Sequence, residues 1–196
     1  MTEEEKSALI PVDRPLYMIE EQIQDLRVED FLANYFNFSR YFACCQGCPN
    51  FGKYWTCPPF NFDVADYWRQ YRTLHAVARK YVIDPETTQK TLSPEELNYL
   101  MEAITVPERH RLTDYLAKME WETPGSRYLS AGTCDFCGYG KCLRLCGKEC
   151  VRGCDMHYSI ESIGGSVTEL TKGLFGYDIL WIKDGHLPEY FSLVGG

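Results

Sequence analysis

The apolar positions of this chain fall into short periodic runs separated by polar and turn-forming stretches. Residues 1–15 show no such run and are expected to form a loose arm. Leu16, Ile19, Ile23 and Leu26 follow, and the arm is drawn to residue 28, with a single domain over 29–196. Phe31, Leu32, Tyr35 and Phe36 have helical spacing behind Glu29 and Asp30, which predicts a short helix near 29–37. Phe62 to Tyr71 reads as a helix that Asp63 can cap, with Val64, Tyr67, Trp68 and Tyr71 on one face. Leu74 to Ile83 alternates apolar and polar closely enough to be a strand, and Asp84 to Thr91 is a polar loop.

Ser93-Pro94-Glu95-Glu96 has the composition of a helix start, with proline in the first turn and acids behind it. Leu97, Leu100, Met101 and Ile104 make its buried stripe. Pro107 is expected to end or kink this helix, with a second one from Glu108 to Trp121 (Leu112, Tyr115, Leu116 and Met119 on one face) closed by Pro124-Gly125. Arg127 to Ala131 reads as a short strand. Near the end, Ser159 or Ser162 can cap a helix running to about Lys172, with Gly173 and Gly176 ending it. Asp178–Lys183 and Glu189–Val194 then read as a terminal hairpin about Asp184-Gly185. The sum is an α+β fold: a small, mainly antiparallel sheet with packed helices and two cysteine-rich loops.

Those loops hold all ten cysteines. Cys44, Cys45, Cys48 and Cys57 lie in the loop 44–60, among Gly47, Pro49, Asn50, Gly52, Pro58 and Pro59, so irregular backbone is expected there. Cys134, Cys137, Cys142, Cys146, Cys150 and Cys154 lie in the loop 134–157. None is scattered through the apolar runs, where a buried structural thiol would sit. Thiolate is a soft ligand that selects zinc, copper(I) or iron–sulfur clusters. Cys45-x2-Cys48-x8-Cys57 supplies three ligands, the last followed by proline. Cys134-x2-Cys137-x4-Cys142-x3-Cys146 resembles the ferredoxin run with two residues inserted. In two-cluster ferredoxins the fourth cysteine crosses to the other cluster, which would complete the first group. The candidate ligands are therefore Cys45, Cys48, Cys57, Cys134, Cys137, Cys142, Cys146 and Cys150, with Cys44 and Cys154 held in reserve. Two [4Fe–4S] clusters are the expectation. Zn²⁺ is the alternative: Cys45-x2-Cys48 and Cys134-x2-Cys137 would pair into one tetrahedral site but leave six cysteines idle. The spacing by four from Cys142 to Cys154 would form a helical stripe suited to copper, but Gly147 and Gly153 favour a broken turn.

Composition narrows the setting. A net charge of −8 argues against nucleic acid or an anionic membrane as partner. Lys141, Arg144, Lys148 and Arg152, interleaved with the cysteines, are expected to offset thiolate charge. The start, MTEEEKSALIPVDRP, lacks a charged-then-apolar signal pattern, and no apolar run approaches the roughly 20 residues a spanning helix needs. A cytoplasmic protein is expected, in which dense cysteines mean metal or redox chemistry more often than disulfides.

The segment Cys48-Pro-Asn-Phe-Gly-Lys-Tyr-Trp-Thr-Cys57-Pro-Pro-Phe, followed by a cysteine cluster and then Ser159-Ile-Glu-Ser-Ile-Gly-Gly-Ser-Val, resembles a prokaryotic family of predicted metal-binding proteins, domain of unknown function 2284. The resemblance covers the chain from about residue 30. Phe51 stands where the family usually has tyrosine, and four residues rather than two separate Cys137 from Cys142. The resemblance carries over to Cys45, Cys48, Cys57, Cys134, Cys137, Cys142 and Cys150, and leaves the eighth ligand open between Cys146, Cys154 and Cys44. It implies metal binding and no particular reaction.

Other candidates read as structural. His157 near a turn is expected to serve packing, Asp135 and Glu149 to be solvated. Tyr54, Trp55 and Phe60 can shield a cluster, line the core, or both. No phosphate loop, nucleotide fingerprint or Ser/His/Asp set is present. The leading expectation is electron transfer with a redox partner protein. A zinc-stabilised interaction module and an enzyme with an open iron site stand beside it, and the oligomeric state is left open.

Overall fold

The computed structural model describes residues 1–134, 136–138 and 140–196, and Cys154 by its backbone alone. Its centre is strand β2 (Thr73–Ile83), flanked by β1 (Tyr17–Arg27) and β3 (Tyr190–Gly195) in an antiparallel sheet of order β1-β2-β3. Alternate side chains of a strand point to opposite faces, and β2 buries both. Leu74, Ala76 and Ala78 face one layer of core, and Val77, Tyr81 and Ile83 the other.

The first layer is built from α2 (Val28–Asn34), α4 (Val64–Arg69) and α7 (Val167–Leu170), the last continuing as a π-helical turn over Thr171–Phe175. Phe31, Trp68, Ile160, Ile163 and Leu170 fill it. The expected cap is present in α4, where the Asp63 side chain accepts from the Asp66 amide. The second layer is the long helix α6 (Pro94–Glu122), joined by α1 (Glu3–Leu9). Ser93 and Glu96 form a reciprocal capping box at its start. Leu97, Leu100, Ile104, Glu108, Leu112 and Leu116 are its buried stripe. The two remaining helices are α3 (Phe38–Gln46) and the single turn α5 (Pro85–Thr88), which Asp84 caps.

Several expectations need correction. The supposed arm contains α1 and the whole of β1, and all 11 residues of β1 pair with β2. Its polar side chains are paid for across the strands: Glu20 meets Lys80 at 2.9 Å, Glu21 meets Arg79 at 2.6 Å, and Asp25 meets His75 at 2.5 Å. Helix α6 is one element, because its buried stripe continues past Pro107, through Glu108 to Leu112 and Leu116. Burial against the sheet outweighs the one backbone bond that a mid-helix proline removes. The polar loop after Asp84 holds α5.

Arg127–Ala131 is not a strand, since only Ser130 makes a bridge, to Ser159. The last helix starts at Val167 on Ser166, not on Ser159 or Ser162, which bond each other in a turn. Gly176 ends the helical run in a left-handed conformation, while Gly173 lies inside the π turn. The terminal hairpin does not form either. Residues 178–182 are irregular, Lys183 and His186 make one bridge, and β3 pairs with β2 instead. An 11-residue strand with a free edge is a better partner than a six-residue neighbour.

The turn before α7 is packed without spare room. Gly165 bridges Phe36, and a methyl group on it would overlap Ile160 and come within 2.7 Å of the Phe31 ring. Gly165→Ala should therefore destabilise the fold by about 1–3 kcal/mol. That is a fall of roughly 2–4 °C in melting temperature for each kcal/mol in a chain of this size. Thermal unfolding beside the parent measures it, and an unchanged midpoint would refute the packing argument.

Candidate metal centre

The two cysteine segments lie far apart in sequence and meet on one face. The first is part helix, contrary to expectation. Asn37 caps α3 by accepting from the Arg40 amide at 3.0 Å, and Cys44 and Cys45 sit in its last turn. Cys48 and Cys57 follow on turns, as expected. The second segment is irregular. A 3₁₀ turn over Leu143–Cys146 ends at Gly147, which is left-handed (φ 66°), and another covers Gly153–Asp155. The helical stripe of thiols considered for copper does not exist, because the backbone turns left-handed at Gly147 and is irregular over 148–150 before the short turn that begins at Gly153.

Arg144 joins the segments. Its Nη1 donates to the carbonyl oxygens of Tyr54 and Cys57, and its Nη2 to that of Pro59 at 2.7 Å. The guanidinium also lies 5.0 Å from the Trp55 ring centroid. A planar fork with several donors can hold three backbone acceptors at once, which a lysine ammonium cannot reproduce. Around this clamp, Trp55 Nε1 donates to the Lys148 carbonyl at 3.0 Å and the Gly140 amide to the Tyr54 hydroxyl at 2.9 Å. Asn50 Nδ2 donates to the Thr133 hydroxyl at 3.1 Å, and the Cys134 amide to the Thr56 hydroxyl at 3.5 Å. The expectation that Arg144 offsets thiolate charge is thus too simple: it anchors backbone. Arg152 pairs with Asp155 and lies over the Phe136 ring.

The structure sorts the thiols into two groups. Cys134, Cys137, Cys142 and Cys150 line one narrow pocket, with Tyr54, Trp55 and Met156 among its walls. In the first segment, burial pushes the Cys45 thiol up to about 11, and the neighbouring Cys48, Cys57 and Cys44 thiols and Glu161 push the same way. Burial also raises Cys57, with hydrogen bonds from Thr133 and Thr56 and the charge of Arg144 working against it. Crowded, half-buried thiols resist ionising together unless a cation compensates them, so a bound metal would release protons here. This donor chemistry fits a soft metal.

Among the described residues, no three Cys, His, Asp or Glu side chains converge closely enough to grip one ion. None of the nine described cysteines is in a disulfide. Cys146 is exposed at the end of its turn, and Cys44 is exposed beside Cys45. The side chain of Cys154 and all of Asp135 lie outside the described residues. Glu149 is exposed. Tyr54 is buried and walls the pocket, whereas Phe60 packs on Phe62 and Tyr158 at the edge of the main core.

His157 is structural, as expected. It is 5% exposed and stacks on Tyr128 with centroids 3.5 Å apart. One ring nitrogen faces Glu120 and the other the Asp155 carbonyl, both at 2.9 Å. Glu120 also accepts from the Tyr128 amide and meets Arg127 at 3.2 Å, and Arg127 donates to the Met156 carbonyl. One carboxylate on α6 therefore ties down the chain where it enters and where it leaves the second segment. Sequence reasoning missed Glu120 and Thr133, and named Arg144 as a counter-charge, a part it does play toward Cys57, but not as a clamp. Only the position of Arg144 between cysteines was a signal.

A family model described as "Predicted metal-binding protein (DUF2284)" matches residues 36–194. No curated protein and no solved structure matches the chain.

Two predictions follow from these contacts. Arg144→Ala should speed hydrogen exchange over residues 54–60 by at least about tenfold while β2 stays protected, as expected for losing charge-assisted bonds of roughly 1.5–3 kcal/mol. Arg144→Lys should not restore protection, and unchanged exchange in both would show that the clamp is dispensable. Burial holds the His157 pKa below its ordinary value. Its contribution to stability is complete above the unfolded value of about 6.5 and is lost as pH falls through the lower folded value. The unfolding midpoint should drop with pH more steeply in the parent than in His157→Gln, and equal slopes would contradict this.

Proposed function

The chain belongs to this predicted metal-binding family, and from that premise we propose that it is an iron–sulfur protein exchanging electrons with a partner protein. The observation that carries the reading is the gathering of two cysteine groups onto one clamped face: four thiols around a single pocket, and a second crowded set beside them. Cys134, Cys137, Cys142 and Cys150 would hold one cluster. Cys45, Cys48 and Cys57 would hold three corners of the other, with Cys146 or Cys44 completing it. The proximity of Cys44 to Cys45 favours Cys44 over the crossing ligand Cys146. Two [4Fe–4S] clusters so held would supply one-electron chemistry at potentials set by burial and by hydrogen bonds to sulfur.

The protein's own groups suit that role. Thr133 and Thr56 offer hydrogen bonds to Cys57 sulfur. Tyr54 and Trp55 cover one wall of the pocket and limit water access to it. The surrounding surface fits a docking partner: Phe136, Leu145 and Val151 are exposed large apolar side chains beside the exposed Lys141, Lys148 and Arg152. On a chain of net charge −8, this local basic and apolar rim favours an acidic protein partner. No described helix is long and apolar enough to cross a membrane, and nine described cysteines outside disulfides suit a reducing compartment such as the cytoplasm.

Anaerobic purification with iron, sulfide and zinc analysis of one sample tests the reading. About eight iron and eight sulfide per chain are expected, four of each per cubane. Cys150→Ser and Cys57→Ser should each remove about half, and Cys44→Ser and Cys146→Ser compared in the same assay identify the remaining ligand. Colourless protein carrying zinc and no sulfide would overturn the proposal and leave a zinc-held interaction module.

A further inference from the structure

Strand β1 is an edge strand of 11 residues with no proline and no bulge, since its register with β2 runs one-to-one from Tyr17↔Ile83 to Arg27↔Thr73. Its outer edge is open. Apart from its ladder with β2, the backbone of residues 17–26 makes no backbone hydrogen bond with a loop, turn or cap among the described residues. Only Tyr17 and Leu26 are partly covered, and Met18, Ile19 and Ile23 are 69%, 50% and 38% exposed. Sheet edges are normally blunted by short length, bulges, proline or unbalanced charge. The carboxylates of β1 would be that deterrent, but each has a partner directly across on β2: Lys80, Arg79 and His75.

We propose that β1 pairs with β1 of a second copy of this chain, antiparallel about a twofold axis at Gln22, to give a continuous six-stranded sheet. For a second copy as occupant, charge and strand length together set the register. In a twofold antiparallel pair the ladder geometry requires the axis to pass through one residue pair. Centring on Glu20 or Glu21 sets that glutamate against its own copy, and centring on Ile23 sets Glu21 against the partner's Asp25. Centring on Gln22 opposes no two carboxylates. Glu20 then faces the partner's Gln24, Glu21 the partner's Ile23, and Asp25 the partner's Ile19. Gln22 is also the midpoint of the strand, so this register alone uses all 11 residues. It satisfies roughly ten open backbone groups as hydrogen bonds and covers the exposed apolar side chains. The interface is isologous and closed, so it ends at a dimer.

Sedimentation velocity of the full, metal-loaded chain from micromolar concentration upward tests this. The parent is expected to sediment as a dimer. Gln22→Glu places two carboxylates face to face on the axis and should raise the dissociation constant roughly fivefold. Gln24→Lys sets a cation opposite the partner's Glu20 and should lower it. Both side chains are exposed, so circular dichroism and melting of the monomer should be unchanged, and Gln24→Lys still reads the register if Gln22→Glu folds poorly. A parent that stays monomeric throughout, or a dimer indifferent to both substitutions, overturns the proposal. Neither result bears on the metal content.

Discussion

A central strand with no face left to water must be covered twice, and that requirement organises the molecule. β2 buries Ala76 and Ala78 on one side and Val77 and Tyr81 on the other. One long helix covers one side, and three short ones with a glycine-rich turn cover the other. The long helix is the simpler solution: a single stripe of side chains matches the full length of the strand, which explains why a proline at its midpoint does not divide it. The opposite layer is assembled from pieces, and there the close approaches at Gly165 and Trp68 carry the fit.

The metal-bearing face is held on this scaffold by polar contacts rather than by core packing. Glu120 fixes the base of the second cysteine segment, and Arg144 returns from its middle to grip the first. This division of labour suits thiols that repel one another when ionised. Donors aimed at backbone carbonyls keep the loops together without competing for sulfur.

What could be read from the sequence was mostly local. The cap at Asp63, the capping box at Ser93 and the alternation of 74–83 all act within a few residues, and each led to the right element. β1 was hidden because an edge strand need not alternate. Its signature was charge: Glu20, Glu21 and Asp25 mirror Lys80, Arg79 and His75 in reverse order, which becomes visible only once the pairing is considered. The sequence 178–183 is an apolar run that reads like a strand, but such a run does not name a partner, and β2 offered a better one to residues 190–195. Arg144 was legible as a cation and not as a clamp, since carbonyl acceptors leave no mark in the sequence. Membership of a metal-binding family was legible from the resemblance of the Cys48–Cys57 and Ser159–Val167 segments to that family's motifs, and the family model bears it out.

The Glu120 knot brings residues 127 and 128 against 156 and 157, and the Ser130 amide bonds the Tyr158 carbonyl at 2.8 Å. The second cysteine segment is therefore a loop closed at its neck. The entropy of such a loop grows only with the logarithm of its length. Residues can be gained or lost inside the neck while the neck and the core beneath it stay where they are. The four-residue spacing between Cys137 and Cys142, two longer than the family resemblance implies, would be a change of that kind, a longer contour hung from fixed ends. A lineage carrying this fold could vary the spacing of its thiols, and with it the metal it prefers, without rebuilding the domain that supports them.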